Sequence, residues 1–419
     1  MRIKITGSTI AVFLLTIIAF SCSAQKHIEK ENLQESYSTD NPLNPEYRVF
    51  HLNDAKTIIY YQFNFGDFNY KRETPESTPK ARYQLTYQLF YDFLAKELID
   101  SASVVFEDSL NYDKNTSSLG YFELDIPENS ELILRLKLYD LNSGKQVVSL
   151  LKIDKTNHLN RQNFYLQAED GLPVMHNHVT KNTNYQLVYN QLDVKTLYVK
   201  YFKEFHKPAQ PPMNDSQEKK VTRVKADSSY KIILNQGRSE QLVFDRQGIY
   251  HFYADSSSQD GFTVMVFTSG YPFVSSQMQM LVPLRYITTN SEYKKLLQSE
   301  DKKKDVDNFW INISSNSERA KSMISIYYNR VQEANSLFYS DREGWMTDRG
   351  MIYIIYGPPE RVFKNEGLET WVYASAARRT TLKFNFLQSD NPFTENDFRL
   401  NRSQSYVNSW NSAIEVWRR

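Results

Sequence analysis

The chain has 419 residues, with 50 Lys and Arg against 49 Asp and Glu, a formal net charge of +1. That balance points away from nucleic acid as a partner, and the length predicts two or three domains, each able to bury its own core. A hydrophobic content of 41% excludes a disordered chain, and 29 Tyr with 25 Phe suit pleated surfaces, so a mainly β, multidomain protein is expected.

Arg2 and Lys4 precede an apolar run from Ile10 to Phe20 that is interrupted only by Thr16 and ends at Ser21-Cys22-Ser23. This is the pattern of a signal peptide over residues 1–21, too short to span a bilayer comfortably. Cys22 is the single cysteine, so neither an intramolecular disulfide nor a paired-cysteine zinc site can form. Ala19-Phe20-Ser21-Cys22 resembles a lipobox, with Ala19 where leucine is usual, which implies lipidation of Cys22 and an outer-membrane lipoprotein anchored through that lipid. Cleavage after Ala24 would instead release a periplasmic protein and discard Cys22. Residues 22–45 are polar and without periodicity, and they read as a tether.

From Tyr83 to Phe93 every second residue is apolar or aromatic, which buries one face only if the segment is extended. Leu132, Leu134, Leu136 and Leu138 repeat the pattern, and Asn142-Ser143-Gly144-Lys145 turns the chain into Gln146-Val147-Val148. With Thr57 to Phe65 and Ser103 to Glu107, residues 46–155 are expected to form an antiparallel, Ig-like β-sandwich. A second sandwich is expected over 156–286, with strands near 185–189, 196–202, 230–234, 241–244, 248–253 and 262–267. Its middle, 207–229, carries Pro208, Pro211 and Pro212 and then mixed charge, and reads as a long exposed loop serving as an inert connection rather than a binding loop.

His176 and His178 could present two ligands on one strand face, with Glu169 and Asp170 as company, but no clear third ligand is at hand and no metal or other cofactor is expected. No two glycines are separated by two, four or five positions, which removes the dinucleotide fingerprint, the nucleophile elbow and the phosphate-binding P-loop together. Beyond His251 there is neither histidine nor cysteine, so chemistry there would rest on carboxylates, lysines, tyrosines or hydroxyls.

After Pro283 the texture changes. Ser291 to Leu297 suggests a short helix, Ser315-x-x-Glu318 has the form of a capping box, and Ala320, Met323, Ile324, Tyr327, Val331, Ala334 and Phe338 follow at helical spacing. Met351 to Tyr356, Thr370 to Tyr373 and Thr381 to Phe386 read as short strands, and Ser405 to Trp417 as a closing helix. Residues 287–419 are therefore expected to be α+β, a long helix followed by a short antiparallel meander.

Between the long helix and that meander stands Gly344-Trp345-Met346-Thr347-Asp348, then Arg349-Gly350, and further on Tyr356-Gly357-Pro358-Pro359-Glu360. Together with Pro283-Leu284-Arg285-Tyr286-Ile287 and Trp371-x-Tyr373, this closely resembles the defining pattern of the bacterial GWxTD-domain proteins over about residues 280–419. The resemblance implies an exported envelope protein of Bacteroidetes type and supplies no reaction. Each motif residue has a structural reading: Gly344 ends the helix through a positive φ, Trp345 fills the gap between helix and sheet, and Thr347 or Asp348 bonds turn amides before Gly350. A functional reading makes Asp348 a base or ligand beside Glu343, Arg349 and Glu360. The structural reading predicts no catalytic residue. The expected role is a non-enzymatic interaction or assembly module meeting an envelope protein; the alternatives are glycan binding by the sandwiches and a hydrolase working through Glu343 and Asp348.

Overall fold

Alternation of buried Tyr83, Leu85, Tyr87 and Leu89 with more exposed neighbours fixes one strand face on a core. The computed structural model describes residues 4–5, 28–38, 41–109, 116–203, 207–214, 225–314, 316–375 and 380–418. The first sandwich comprises β1 (Lys4–Ile5), β2 (Glu46–His51), β3 (Lys56–Asn64), β4 (Lys80–Phe90), β5 (Asp100–Ser109), β6 (Ser117–Asp125), β7 (Glu131–Asp140) and β8 (Gln146–Asp154). Its two sheets run β1-β6-β3-β2 and β5-β4-β7-β8, every pairing antiparallel. Ile59, Tyr61, Phe63 and Phe122 of one sheet meet Tyr83, Leu85, Leu134 and Leu136 of the other. The strand expected to reach Phe93 stops at Phe90, and Tyr91 and Leu94 stand exposed in the loop that follows.

The second sandwich is one seven-stranded sheet folded on itself: β9 (Phe164–Ala168), β10 (Asn184–Tyr189), β11 (Thr196–Phe202), β12 (Ser228–Asn235), β13 (Arg238–Val243), β14 (Gly248–Tyr253) and β15 (Phe262–Val266). The order is β15-β14-β11-β12-β13-β10-β9, and β12 bridges the layers by pairing with β11 along most of its length and with β13 at its end. Phe164 stacks on Tyr189 at 4.0 Å and approaches Phe262 of the other layer at 6.1 Å.

The C-terminal unit starts with α1 (Gln277–Leu281) and continues through α2 (Asn290–Gln298), α3 (Lys302–Ile313), α4 (Ser317–Phe338), α5 (Asp348–Tyr356), the antiparallel meander β16 (Arg361–Asn365), β17 (Leu368–Ser375), β18 (Thr380–Gln388) and β19 (Phe398–Leu400), and α6 (Val407–Trp417). Mainly β architecture with a C-terminal α+β unit is thus the observed fold class. All five tryptophans of the chain lie in this unit and all are buried. Trp310, Tyr327 and Trp417 form an edge-to-face series with centroids 5.3 and 5.2 Å apart, each contact adding about 0.5–1.5 kcal/mol beyond area burial.

Three local expectations are corrected. The long helix is capped by Asn316, whose side chain accepts from Arg319 N–H, while Ser315 lies outside the described residues. Met351 to Tyr356 belongs to helix α5 rather than to a strand: Thr347 caps it, and Met351 to Ile355 are buried on every side, which erases the polar face that marks a helix. The supposed tether is packed wherever it is described. Ile28, Leu33 and Leu43 are buried, Leu33 N–H donates to Val362 O at 2.8 Å, Glu31 pairs with Arg135, and Asn41 Nδ2 donates to Gln146 O at 2.9 Å. Its apolar residues are too widely spaced to give a period, yet each is packed: Leu43 in the core of the first sandwich, Ile28 against Phe90 and Ile133, and Leu33 in the core of the C-terminal unit.

Candidate functional site

The motif forms a buried corner between α4 and α5. The long helix ends at Tyr339, with extended backbone, and Gly344 serves close packing rather than a positive φ: a β-carbon there would lie 1.9 Å from Ala334 O. Gly350 has the same role, with Gly344 O 1.9 Å from where its β-carbon would be. The positive φ belongs to Gly357, at 83°, which terminates α5 before Pro358 and Pro359. Gly357 O accepts from Tyr373 Oη at 2.8 Å, and Tyr356 packs its ring against Phe384 at 5.1 Å.

Every residue from Ser340 to Gly350 is buried although five of them are charged, so each charge must find a partner. Asp341 accepts from Arg342 Nε at 3.1 Å and from Asn391 Nδ2 at 3.0 Å. Glu343 accepts from Trp345 Nε1 at 2.8 Å and from Thr268 Oγ1 at 2.5 Å, tying the corner to the second sandwich. Trp345 also donates its N–H to Asn335 Oδ1 at 3.1 Å, and its carbonyl accepts from Tyr286 Oη at 2.8 Å. Thr347 Oγ1 accepts from Gly350 N–H at 3.0 Å and donates to Gly344 O at 2.8 Å. Asp348 reaches across to the meander: it accepts from Leu400 N–H at 2.8 Å and pairs with Arg402 at 2.5 Å. Arg349 pairs with Glu369 at 3.1 Å and donates to Asn396 O at 2.9 Å.

The corner therefore brings Glu343, Asp348 and Arg349 together but points each at a different partner, and Glu360 stands exposed past the Gly357 turn. The space beside Asp348, lined by Ala209, Arg342 and Thr347, holds about 10 Å³, room for one water at most. The Pro-rich segment closes it. Residues 207–214 are not a free loop: Ala209 N–H donates to Met346 O at 2.9 Å, Gln210 O accepts from Arg402 at 3.2 Å, and Pro212 O accepts from Ser403 N–H at 3.1 Å. The sequence signal for this docking is absent, because it lies in backbone groups.

His176 and His178 stack at 4.1 Å, with His176 facing Glu46 at 3.3 Å. Burial, with the neighbouring His176, pushes His178 down to about 3, and its ring packs edge-on against Tyr271 and Tyr339. Glu169 instead accepts from Asn184 and Asp170 from Leu172 N–H. Among the described residues no group of three His, Cys, Asp or Glu is placed to hold a metal ion. Cys22 lies outside the described residues. Among the described residues no helix is long and apolar enough to cross a membrane.

A much larger concavity, about 760 Å³, opens where all three domains meet. Arg48 and Phe93 come from the first sandwich, Asn177 and Phe262 from the second, and Lys364 and Phe398 from the meander. No single sequence segment announces it.

No curated protein matches the chain. Among solved structures, one titled BspA_C_mut is similar over 54% of this chain and 98% of its own, with 9% identity and a TM-score of 0.18. The C-terminal domain of the Streptococcus pyogenes antigen I/II-family protein AspA is similar over 54% of this chain and all of its own (100%), with 7% identity and a TM-score of 0.18. Likenesses this weak carry nothing about role. The GWxTD domain family matches residues 248–419, so the match begins at β14 and runs through the corner, the meander and α6. The chain is a GWxTD domain-containing protein, and residues 248–419 are its GWxTD domain.

Proposed function

We propose that this protein is a non-catalytic binding module of the cell envelope, exported and anchored by a lipid on Cys22, in which the GWxTD corner ties the second sandwich to the C-terminal unit beside a preformed ligand cleft. One observation carries the reading. Asp341, Glu343, Asp348 and Glu369 are all buried and already bonded, and the space beside Asp348 admits one water at most, whereas the open 760 Å³ cleft lies outside the corner. Carboxylates fixed in ion pairs hold architecture; they are poor general bases because their lone pairs are occupied. Support for export and lipidation is the pattern of residues 1–22.

The test is cross-linked capture from native membranes with the full-length protein and two variants, Asn365→Trp to fill the cleft and Asp348→Asn to alter the corner. A companion retained by the wild type and lost from Asn365→Trp supports the reading. Loss from a folded Asp348→Asn protein, with retention by Asn365→Trp, would move the function to the corner and overturn it.

A further inference from the structure

Four cations and four carboxylates line the cleft, yet two of the cations, Lys364 and Arg48, make no ion pair among the described residues. In β16, Lys364 follows the fully buried Val362 by two residues and so shares its inward face, in register with Glu369 of β17. Glu369 is already engaged: it accepts from Arg349 at 3.1 Å, from Trp371 Nε1 at 2.7 Å and from Tyr37 Oη at 3.1 Å. Two cations thus face one buried anion. The Lys364 ammonium sits over the Phe398 ring at 5.4 Å, and burial holds its pKa below the ordinary lysine value.

The other charges of the cleft are engaged elsewhere or stand at its rim: Glu366, exposed in the turn between β16 and β17, makes no ion pair with either cation. Lys152 takes Glu131, and Arg161 lies 3.4 Å from Glu395. Asp92 caps the amides of Leu94 and Ala95. From the first sandwich, Arg48 donates only to the neutral oxygens Met175 O and Asn177 Oδ1, with no carboxylate in ion-pair range among the described residues. Glu369 and Glu395 offset part of the Lys364 charge, but a half-buried cation with no ion pair of its own is costly, and an anionic ligand reduces that cost.

We propose that the cleft binds an acidic saccharide whose carboxylate seats on Lys364, with Arg48 facing it from the first sandwich. The proposal deepens the binding-module reading and rests on it. The volume of about 760 Å³ suits a ligand of several rings rather than a lone inorganic anion. Tyr91 and Phe93 line the cleft, with Tyr91 largely exposed, and offer ring faces to sugar C–H groups, while Asn365 and Gln388 offer amides to hydroxyls. An acidic peptide is disfavoured. Its natural mode, strand addition to β16, is blocked because Leu33 N–H already donates to Val362 O and Asn32 Oδ1 accepts from Val362 N–H at 2.9 Å.

The experiment is titration calorimetry on the full-length protein with trigalacturonic acid, sialyllactose and a hyaluronan tetrasaccharide, each beside its neutral methyl ester, and with hexaglutamate. At least one acidic saccharide is expected to bind ten-fold or more tighter than its ester. Lys364→Met should abolish that difference, Lys364→Arg should preserve it, and Arg48→Gln should reduce it several-fold; melting curves establish which variants are folded. Equal binding of acid and ester, preference for hexaglutamate, an unaffected Lys364→Met, or no binding across the panel would each overturn the proposal. If Lys364→Met does not fold, Arg48→Gln and the acid-to-ester ratio decide. Failure here, with capture still blocked by Asn365→Trp, removes the acidic saccharide and leaves the binding module standing; failure of both removes both.

Discussion

Gly344 lies against Ala334 so closely that a β-carbon on the glycine would come within 1.9 Å of the alanine carbonyl oxygen. The obstruction is helix backbone, which cannot swing aside as a side chain can. Gly344→Ala is therefore expected to destabilise the protein by about 3 kcal/mol, the upper end of ordinary overpacking. Urea unfolding checks it, and a loss below about 0.5 kcal/mol would show that the corner is looser than described.

The Asp348–Arg402 pair joins the start of α5 to the segment after β19, with both side chains largely buried. Removing either partner alone leaves a stranded charge, so Asp348→Asn or Arg402→Met should each cost about 3 kcal/mol, more than loss of a cap. The double variant should recover part of that loss. A double-mutant cycle by chemical unfolding that returned strictly additive effects would show the pair to be uncoupled.

Trp345 fills the corner and also donates to Glu343. Trp345→Ala is expected to cost about 3–5 kcal/mol through the cavity alone. Trp345→Phe keeps most of the volume but deprives the buried carboxylate of its donor, and should still cost about 1–3 kcal/mol. Thermal unfolding of both variants separates the two contributions, since a Phe variant as stable as the wild type would mean that the Glu343 bond is replaceable.

His51 and His251 share one arrangement on different sandwiches. Each ring donates from Nε2 to a backbone carbonyl, Asp154 O at 2.8 Å or Gln259 O at 3.1 Å, and each Nδ1 accepts from a threonine hydroxyl, Thr57 or Thr263. Burial pushes both down to about 4, from an ordinary 6.5, so the folded protein keeps them neutral where the unfolded chain takes up protons. Their contribution is complete above pH 6.5 and is lost as pH falls toward 4, with a slope of at most about 1.4 kcal/mol per pH unit for each ring. Melting temperature should fall across that window. A His51→Gln, His251→Gln double variant should fall less steeply, and identical slopes would contradict the assignment.

Metabolic labelling with a fatty acid is expected to mark the wild type and to miss Cys22→Ser. An unlabelled wild type whose first residue is Gln25 would exclude the lipid anchor.

The sandwiches were legible because their strands each bury one face, and a period of two survives in residues such as Leu132, Leu134, Leu136 and Leu138. Helix α4 was legible for the matching reason at a period of 3.6. Helix α5 was not: with Met351 through Ile355 all buried there is no exposed face to set a period, and a short apolar run reads equally well as a strand. The ion pairs of Asp341, Asp348 and Arg349 were hidden for another reason, since charged residues ordinarily face water and only the fold reveals their partners. The cleft was least legible of all, because Arg48 and Lys364 stand more than three hundred positions apart.

The segment from Ile28 to Pro45 has a consequence for the order of assembly. Leu33 bonds Val362, Tyr353 Oη bonds Tyr37 O, and Tyr37 stacks on Phe338 at 5.5 Å, so these residues complete contacts with residues made about three hundred positions later. At about 5–20 residues per second of synthesis, that interval is on the order of tens of seconds. Through that wait Leu33 and Tyr37 have no core to enter, while both sandwiches can already close. Any partner that holds the unfinished chain, or any protease that trims it, meets Leu33 and Tyr37 uncovered, and the C-terminal unit finds its final seam only if the segment has been kept intact.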